Sequence, residues 1–127
     1  MLNVTEPAQK ILVIEDDEDF RYILLKVLTN AGYRTVSAPS GEEGLSAYGK
    51  ESPDLVVLDV QLPDMMGTDI CRKIRSQGPK PQTPILLCTI RSALVSVSEG
   101  LAAGATDYIL KPFSPDDLLD RVRRALG

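Results

Sequence analysis

The chain has 127 residues, 43% of them hydrophobic, and its 14 Lys and Arg against 18 Asp and Glu leave a net charge of −4. That length is one domain, able to bury roughly two-thirds of its unfolded surface. A net negative charge supplies no field for attracting nucleic acid, and Arg121, Arg123 and Arg124 are too few for a basic arm. They read instead as favourable charges in a last helical turn. Two cysteines, Cys71 and Cys88, and no histidine exclude a zinc or cysteine-nucleophile constellation, so both thiols read as small reduced core groups. Met1 to Gln9 is short and polar, with neither the basic start nor the apolar stretch of a signal peptide, and no segment approaches membrane length. A cytoplasmic domain is expected, with no membrane contact and no direct nucleic acid binding.

The elements follow in chain order. Ile11-Leu12-Val13-Ile14 is too continuous for a strand with one wet face and reads as a central parallel strand, ending at Glu15-Asp16-Asp17. Phe20, Ile23, Leu24, Val27, Leu28 and Ala31, three and four residues apart, predict a helix that Gly32 stops. Arg34 to Ala38 is a weaker strand. Ser40, with Glu43 three residues on, forms a capping box for a helix to about Lys50. Ser52-Pro53-Asp54 breaks the chain before a third strand, Leu55-Val56-Val57-Leu58, which runs into Asp59. Gly67-Thr68 starts a helix through Ile70 and Ile74, and the proline-rich stretch from Gln77 to Pro84 is a loop. Ile85 to Cys88 is the fourth strand, with Thr89 directly after it, then a helix from about Ser92 to Ala103. Gly104 turns the chain into a fifth strand, Asp107 to Leu110, whose apolar run Tyr108-Ile109-Leu110 again reads as central. Ser114-Pro115-Asp116-Asp117 then supplies a cap, a first-position proline and first-turn acids for a last helix to Leu126. Five strand–helix units predict a doubly wound α/β domain with helices on both faces.

Charge therefore stands where strands end. In an open parallel sheet ligands collect beyond the carboxyl ends of the strands, so the clusters Glu15-Asp16-Asp17, Asp59 and Lys111-Pro112 are expected to converge on one site. Carboxylates so placed repel one another unless a cation sits among them, and hard oxygen donors suit magnesium. The ordinary alternative is solvated groups, with Asp17 or Asp19 capping the first helix. Asp59 can also attack an activated phosphorus centre and hold the phosphoryl group as an acyl phosphate. Mg2+ on one side, Lys111 on the other and the Thr89 hydroxyl would then neutralise the equatorial oxygens. Taken singly, Thr89 reads as structural and Tyr108 as half-buried edge-strand packing.

Across nearly its whole length the chain resembles the receiver domain of two-component response regulators. The resemblance rests on Ile11 through Asp17, on Asp54 through Asp59 with Leu62-Pro63 and Gly67, on Pro84 through Thr89, and on Gly104-Ala105 through Tyr108 to Lys111-Pro112-Phe113. It implies a flavodoxin-like five-stranded parallel sheet of strand order 2-1-3-4-5. It makes Asp59 the phosphoacceptor, Glu15 and Asp16 the acidic pair for Mg2+, and Gln61 the donor of a backbone carbonyl to the ion. Lys111 would bridge the phosphoryl group, Thr89 would be the switch hydroxyl, Tyr108 would change rotamer with it, and the Lys111-Pro112 bond would be cis. The implied phosphodonor is a sensor histidine kinase or histidine phosphotransfer protein. The implied output is an output domain or effector protein, or a homodimer, through the face of the fourth helix, fifth strand and fifth helix, where Ala93, Val97 and Leu101 lie. Such a domain catalyses only its own phosphorylation and dephosphorylation and is no enzyme toward other substrates. A phosphoryl group adds roughly −1.5 to −2 charge, enough to re-aim nearby donors.

Ile90 departs from the resemblance, being bulky where Ala or Gly is usual, and predicts slow phosphoryl turnover by narrowing access. Met65 and Met66 either cover the site or simply pack in their loop. Three other functions compete. A phosphatase or phosphotransferase with an aspartyl-phosphate intermediate would need a second Asp two positions after the nucleophile as general acid, where Gln61 stands. A receiver-like interaction module working without phosphorylation would keep the fold. A nucleotide or flavin binder would need a glycine-rich turn after the first strand, which is missing. An ending at Gly127 suits equally a stand-alone domain and one followed by an output domain.

Overall fold

The computed structural model describes residues 8–90 and 94–127, and the side chains of residues 8–90 and 98–127. Five strands alternate with five helices: β1 (Lys10–Ile14), α1 (Glu18–Asn30), β2 (Arg34–Ala38), α2 (Gly41–Glu51), β3 (Leu55–Asp59), α3 (Gly67–Gln77), β4 (Ile85–Ile90), α4 (Leu94–Ala102), β5 (Asp107–Lys111) and α5 (Pro115–Leu126). The sheet is parallel throughout, in the order β2-β1-β3-β4-β5. Of the expectations above, those for Met1 to Pro7, Ser92, Ala93 and the side chain of Val97 lie outside the described residues.

Alternation along the strands divides the core into two layers, because successive side chains point to opposite faces. Leu12, Ile14, Val56, Leu58, Ile85 and Leu87 pack with Tyr48 of α2 and with Ile70, Cys71 and Ile74 of α3. Ile11, Val13, Leu55, Val57, Leu86, Cys88 and Ile109 pack with Leu24 and Leu28 of α1 and with Leu118 and Val122 of α5. Both cysteines are buried free thiols, with burial pushing Cys71 up to about 11 and Cys88 up to about 12.

The local signals act as expected at most helix ends. Asp17, Ser40 and Ser114 accept from the amides of Phe20, Glu43 and Asp117, at 3.1, 3.2 and 3.1 Å. Gly32 takes φ +98° after α1, a conformation that favours glycine. Asp64, far along the chain, adds a second cap to α2 by accepting from Gly41 N at 2.8 Å and Glu42 N at 2.9 Å. Arg75 of α3 clasps three carbonyls, those of Gly104, Pro81 and Thr83, at 2.9, 2.6 and 2.6 Å.

Three expectations need correction. β5 is an edge strand, as the implied order 2-1-3-4-5 has it and not central as its apolar run reads, and only Ile109 in it is buried. A continuous apolar run reports burial by whatever covers it, so it does not distinguish a strand's rank in the sheet. β4 runs to Ile90, which places Thr89 inside the strand, because pairing with Leu110 extends the ladder past the apolar run. α4 ends at Ala102, one residue short of Ala103. Met65 follows the second of its two readings, packing against the first core layer and Gly41 of α2.

Candidate functional site

Parallel register places the chemistry. Ile14 is level with Leu58, so Glu15 and Asp59 leave adjacent strands at the same height; Asp59 is level with Cys88, and Ile90 with Lys111. Carboxylate oxygens of Glu15, Asp16 and Asp59 all lie within 4.8 Å of one another. Lys111 Nζ donates to Glu15 Oε1 at 2.8 Å and stands 3.7 Å from Asp59 Oδ2. The other Glu15 oxygen, Oε2, accepts from the Asp17 amide at 3.1 Å.

Burial sets the electrostatics. The Glu15 side chain is 2% exposed, which pushes its pKa up to about 7 against the pull of the Lys111 hydrogen bond, with the charge of Asp59 acting in the same direction as burial. Burial would lower the Lys111 pKa, but its hydrogen bond to Glu15 and the charges of Asp59 and Glu15 outweigh this and raise it. The Asp59 side chain is 13% exposed and Asp16 lies exposed, and the site therefore opens to solvent on the Asp16 side.

The remaining candidates fall around this cluster. Gln61 is exposed, and its amide donates to Asp59 Oδ1 at 3.3 Å. Gly67 closes the β3–α3 loop against the site: a Cβ there would meet Asp59 O at 2.8 Å and Val60 Cα at 3.0 Å. Thr89 is buried, and among the described residues its hydroxyl reaches only the Ile90 carbonyl, at 3.5 Å, too long to hold it firmly. Tyr108 is half-buried on β5, its ring centroid 5.7 Å from the Arg121 guanidinium, with no hydrogen bond to Thr89 among the described residues. Ile90 is 49% exposed, and the Lys111-Pro112 bond is cis.

Two residues of α1 join the site without having stood out in the sequence. Arg21 donates to the carbonyls of Glu15, at 2.7 Å, and Asp16, at 3.4 Å, tying the β1–α1 loop to the helix. The Phe20 ring lies beneath Lys111 Nζ, 4.2 Å from ring centroid to nitrogen, and stands edge-on to Phe113 with centroids 5.5 Å apart. In the sequence Phe20 was legible only as one apolar position of α1. Asp17 proves to be the cap of α1 and not a member of the carboxylate trio.

A sequence model described as the response regulator receiver domain matches residues 11–123. The chain belongs to that family. It is 42% identical over 118 residues to the DNA-binding response regulator MtrA of Mycolicibacterium paratuberculosis, covering 93% of this receiver chain and 51% of MtrA. The receiver chain spans about half the length of the curated relatives it matches. A crystal structure of a response regulator from Chloroflexus aurantiacus superposes with TM-score 0.90 at 36% identity, covering 95% of this chain and 98% of that one. The receiver domain of a Pseudomonas aeruginosa sensor histidine kinase, with magnesium coordinated in its active-site cleft, superposes with TM-score 0.87 at 28% identity, over 94% and 98% of the two chains. The flavodoxin-like fold and strand order 2-1-3-4-5 of this receiver are those expected from the sequence. Among its described residues no helix is long and apolar enough to cross a membrane.

Proposed function

We propose that residues 1–127 form one receiver domain that accepts a phosphoryl group on Asp59 from the phosphohistidine of a sensor histidine kinase or histidine phosphotransfer protein. The observation that carries this reading is the placement of Lys111 between Glu15 and Asp59, beside three carboxylates gathered within 4.8 Å. An all-oxygen donor set, with one acid exposed and able to keep water, fits magnesium. Glu15, Asp16 and Asp59, with the Gln61 carbonyl, would hold the ion. When bound, Mg2+ offsets charge on the transferring phosphoryl oxygens.

Asp59 does the covalent chemistry. A carboxylate oxygen attacks phosphorus as the P–N bond to the donor imidazole breaks, and the bond's electron pair leaves with the imidazole, which takes up a proton. The Lys111 ammonium, 3.7 Å from Asp59 Oδ2, faces the developing charge. Thr89, whose hydroxyl is weakly engaged, is free to donate to a phosphoryl oxygen, and the space it leaves is the route by which Tyr108 would respond. Water attacking the acyl phosphate later restores the carboxylate, so the domain acts only on itself. The output would pass from α4, β5 and α5 to an output domain, an effector protein or a second copy, in the cytoplasm.

The deciding experiment is intact mass after incubation with acetyl phosphate and Mg2+, for the wild type and Asp59→Asn. One base-labile phosphoryl adduct that needs Mg2+ and is absent from the variant supports the reading. No adduct, together with no response to beryllofluoride, replaces it with a phosphorylation-independent interaction module.

A further inference from the structure

Lys111 has four flexible methylenes and a strongly hydrated head, so charge alone would let it wander over the acidic cluster. It is held on more than charge. Its Nζ meets Glu15 Oε1 at 2.8 Å, Asp59 Oδ2 at 3.7 Å and the face of the Phe20 ring, 4.2 Å from its centroid. The ammonium lies well inside the roughly 6 Å range at which a ring quadrupole attracts a cation. The Lys111 side chain is 17% exposed, so water competes weakly for it.

Phe20 is itself oriented. It is half-buried in the first turn of α1, and its ring meets Phe113 in an edge-to-face contact at 74° and 5.5 Å. Phe113 follows the cis Lys111-Pro112 bond by one residue. The ring–ring contact thus ties α1 to the segment that carries Lys111.

We propose that Phe20 is a positioning residue for phosphoryl transfer. Its ring face keeps the Lys111 ammonium beside Asp59 when the hydrogen bond to Glu15 gives way to one with the incoming phosphoryl group, and Phe113 sets that ring's tilt. This rests on the phosphoacceptor reading above. Phe20 acts through the Lys111 ammonium, so its effect falls on the rate of transfer and leaves the binding of the donor unchanged.

Two readouts separate the inference from that reading. The first needs no phosphorylation: in the metal-free protein, ring current from Phe20 shifts the Lys111 ε-methylene and ammonium protons upfield. Phe20→Leu abolishes the shift and Phe20→Tyr keeps it. The second is the rate constant for phosphorylation by acetyl phosphate at saturating Mg2+. It falls about threefold to thirtyfold in Phe20→Leu at an unchanged half-saturating donor concentration, and Phe20→Tyr restores it. Phe113→Leu, which leaves Phe20 in place, gives a smaller fall and serves if Phe20→Leu folds poorly. A wild type that takes no phosphoryl group overturns the phosphoacceptor reading. A wild type that is phosphorylated, with Phe20→Leu equally fast or Phe20→Tyr equally slow as Phe20→Leu, overturns the role of Phe20.

Discussion

Lys111 at the end of β5 donates to Glu15 just beyond β1 at 2.8 Å, joining residues 96 apart in the chain across two intervening strands. Glu15 is buried with Lys111 as its ion-pair partner, while Lys111 also faces Asp59 at 3.7 Å, and the pair makes the metal-free domain sensitive to pH and to substitution at either end.

The pH effect has a definite sign. The folded Glu15 pKa of about 7 lies above its ordinary 4.5, so the folded state binds the extra proton between those values. Its stabilising contribution is full below pH 4.5 and is lost as pH rises through about 7. In urea unfolding of metal-free protein, the stability of Glu15→Gln relative to wild type should rise across that window. A constant difference would show that Glu15 titrates normally.

Removing the other partner should hurt most where Glu15 is ionised. Lys111→Met is expected to cost roughly 1–3 kcal/mol at pH 8, because a buried carboxylate loses its donor, and clearly less at pH 5, where Glu15 is neutral. Equal losses at both pH values would count against the pairing.

Gly67→Ala tests the packing of the loop behind Asp59. Its Cβ would press on the backbone of Asp59 and Val60, which cannot rotate away as a side chain could. We expect a loss of roughly 1–3 kcal/mol with slower phosphorylation of Asp59. Unchanged thermal unfolding would mean the α3 start shifts freely.

Ile90 stands 49% exposed at the end of β4, level with Lys111. Trimming it in Ile90→Ala should open access for water and shorten the lifetime of the phosphoryl adduct several-fold, with little change in stability, since much of the side chain is already in solvent. An adduct of the same half-life would sink the idea that Ile90 slows turnover.

The sequence by itself determined what depends on near neighbours. Apolar runs of strand length, three- and four-residue helical spacing, the caps Ser40 and Ser114, and Gly32 all act within a few residues, where backbone geometry is local. Charge at the strand ends also pointed to Glu15, Asp16, Asp59 and Lys111 before any fold was known, because parallel strands place their carboxyl ends together. Tertiary structure alone decided the rest. Whether Thr89 lies inside the ladder, that Asp64 caps α2, that Arg75 reaches Gly104, and that Phe20 carries Lys111 are all set by how strands and helices pack. Those contacts join residues far apart in the chain, and no local period records a partner met only when the sheet has closed.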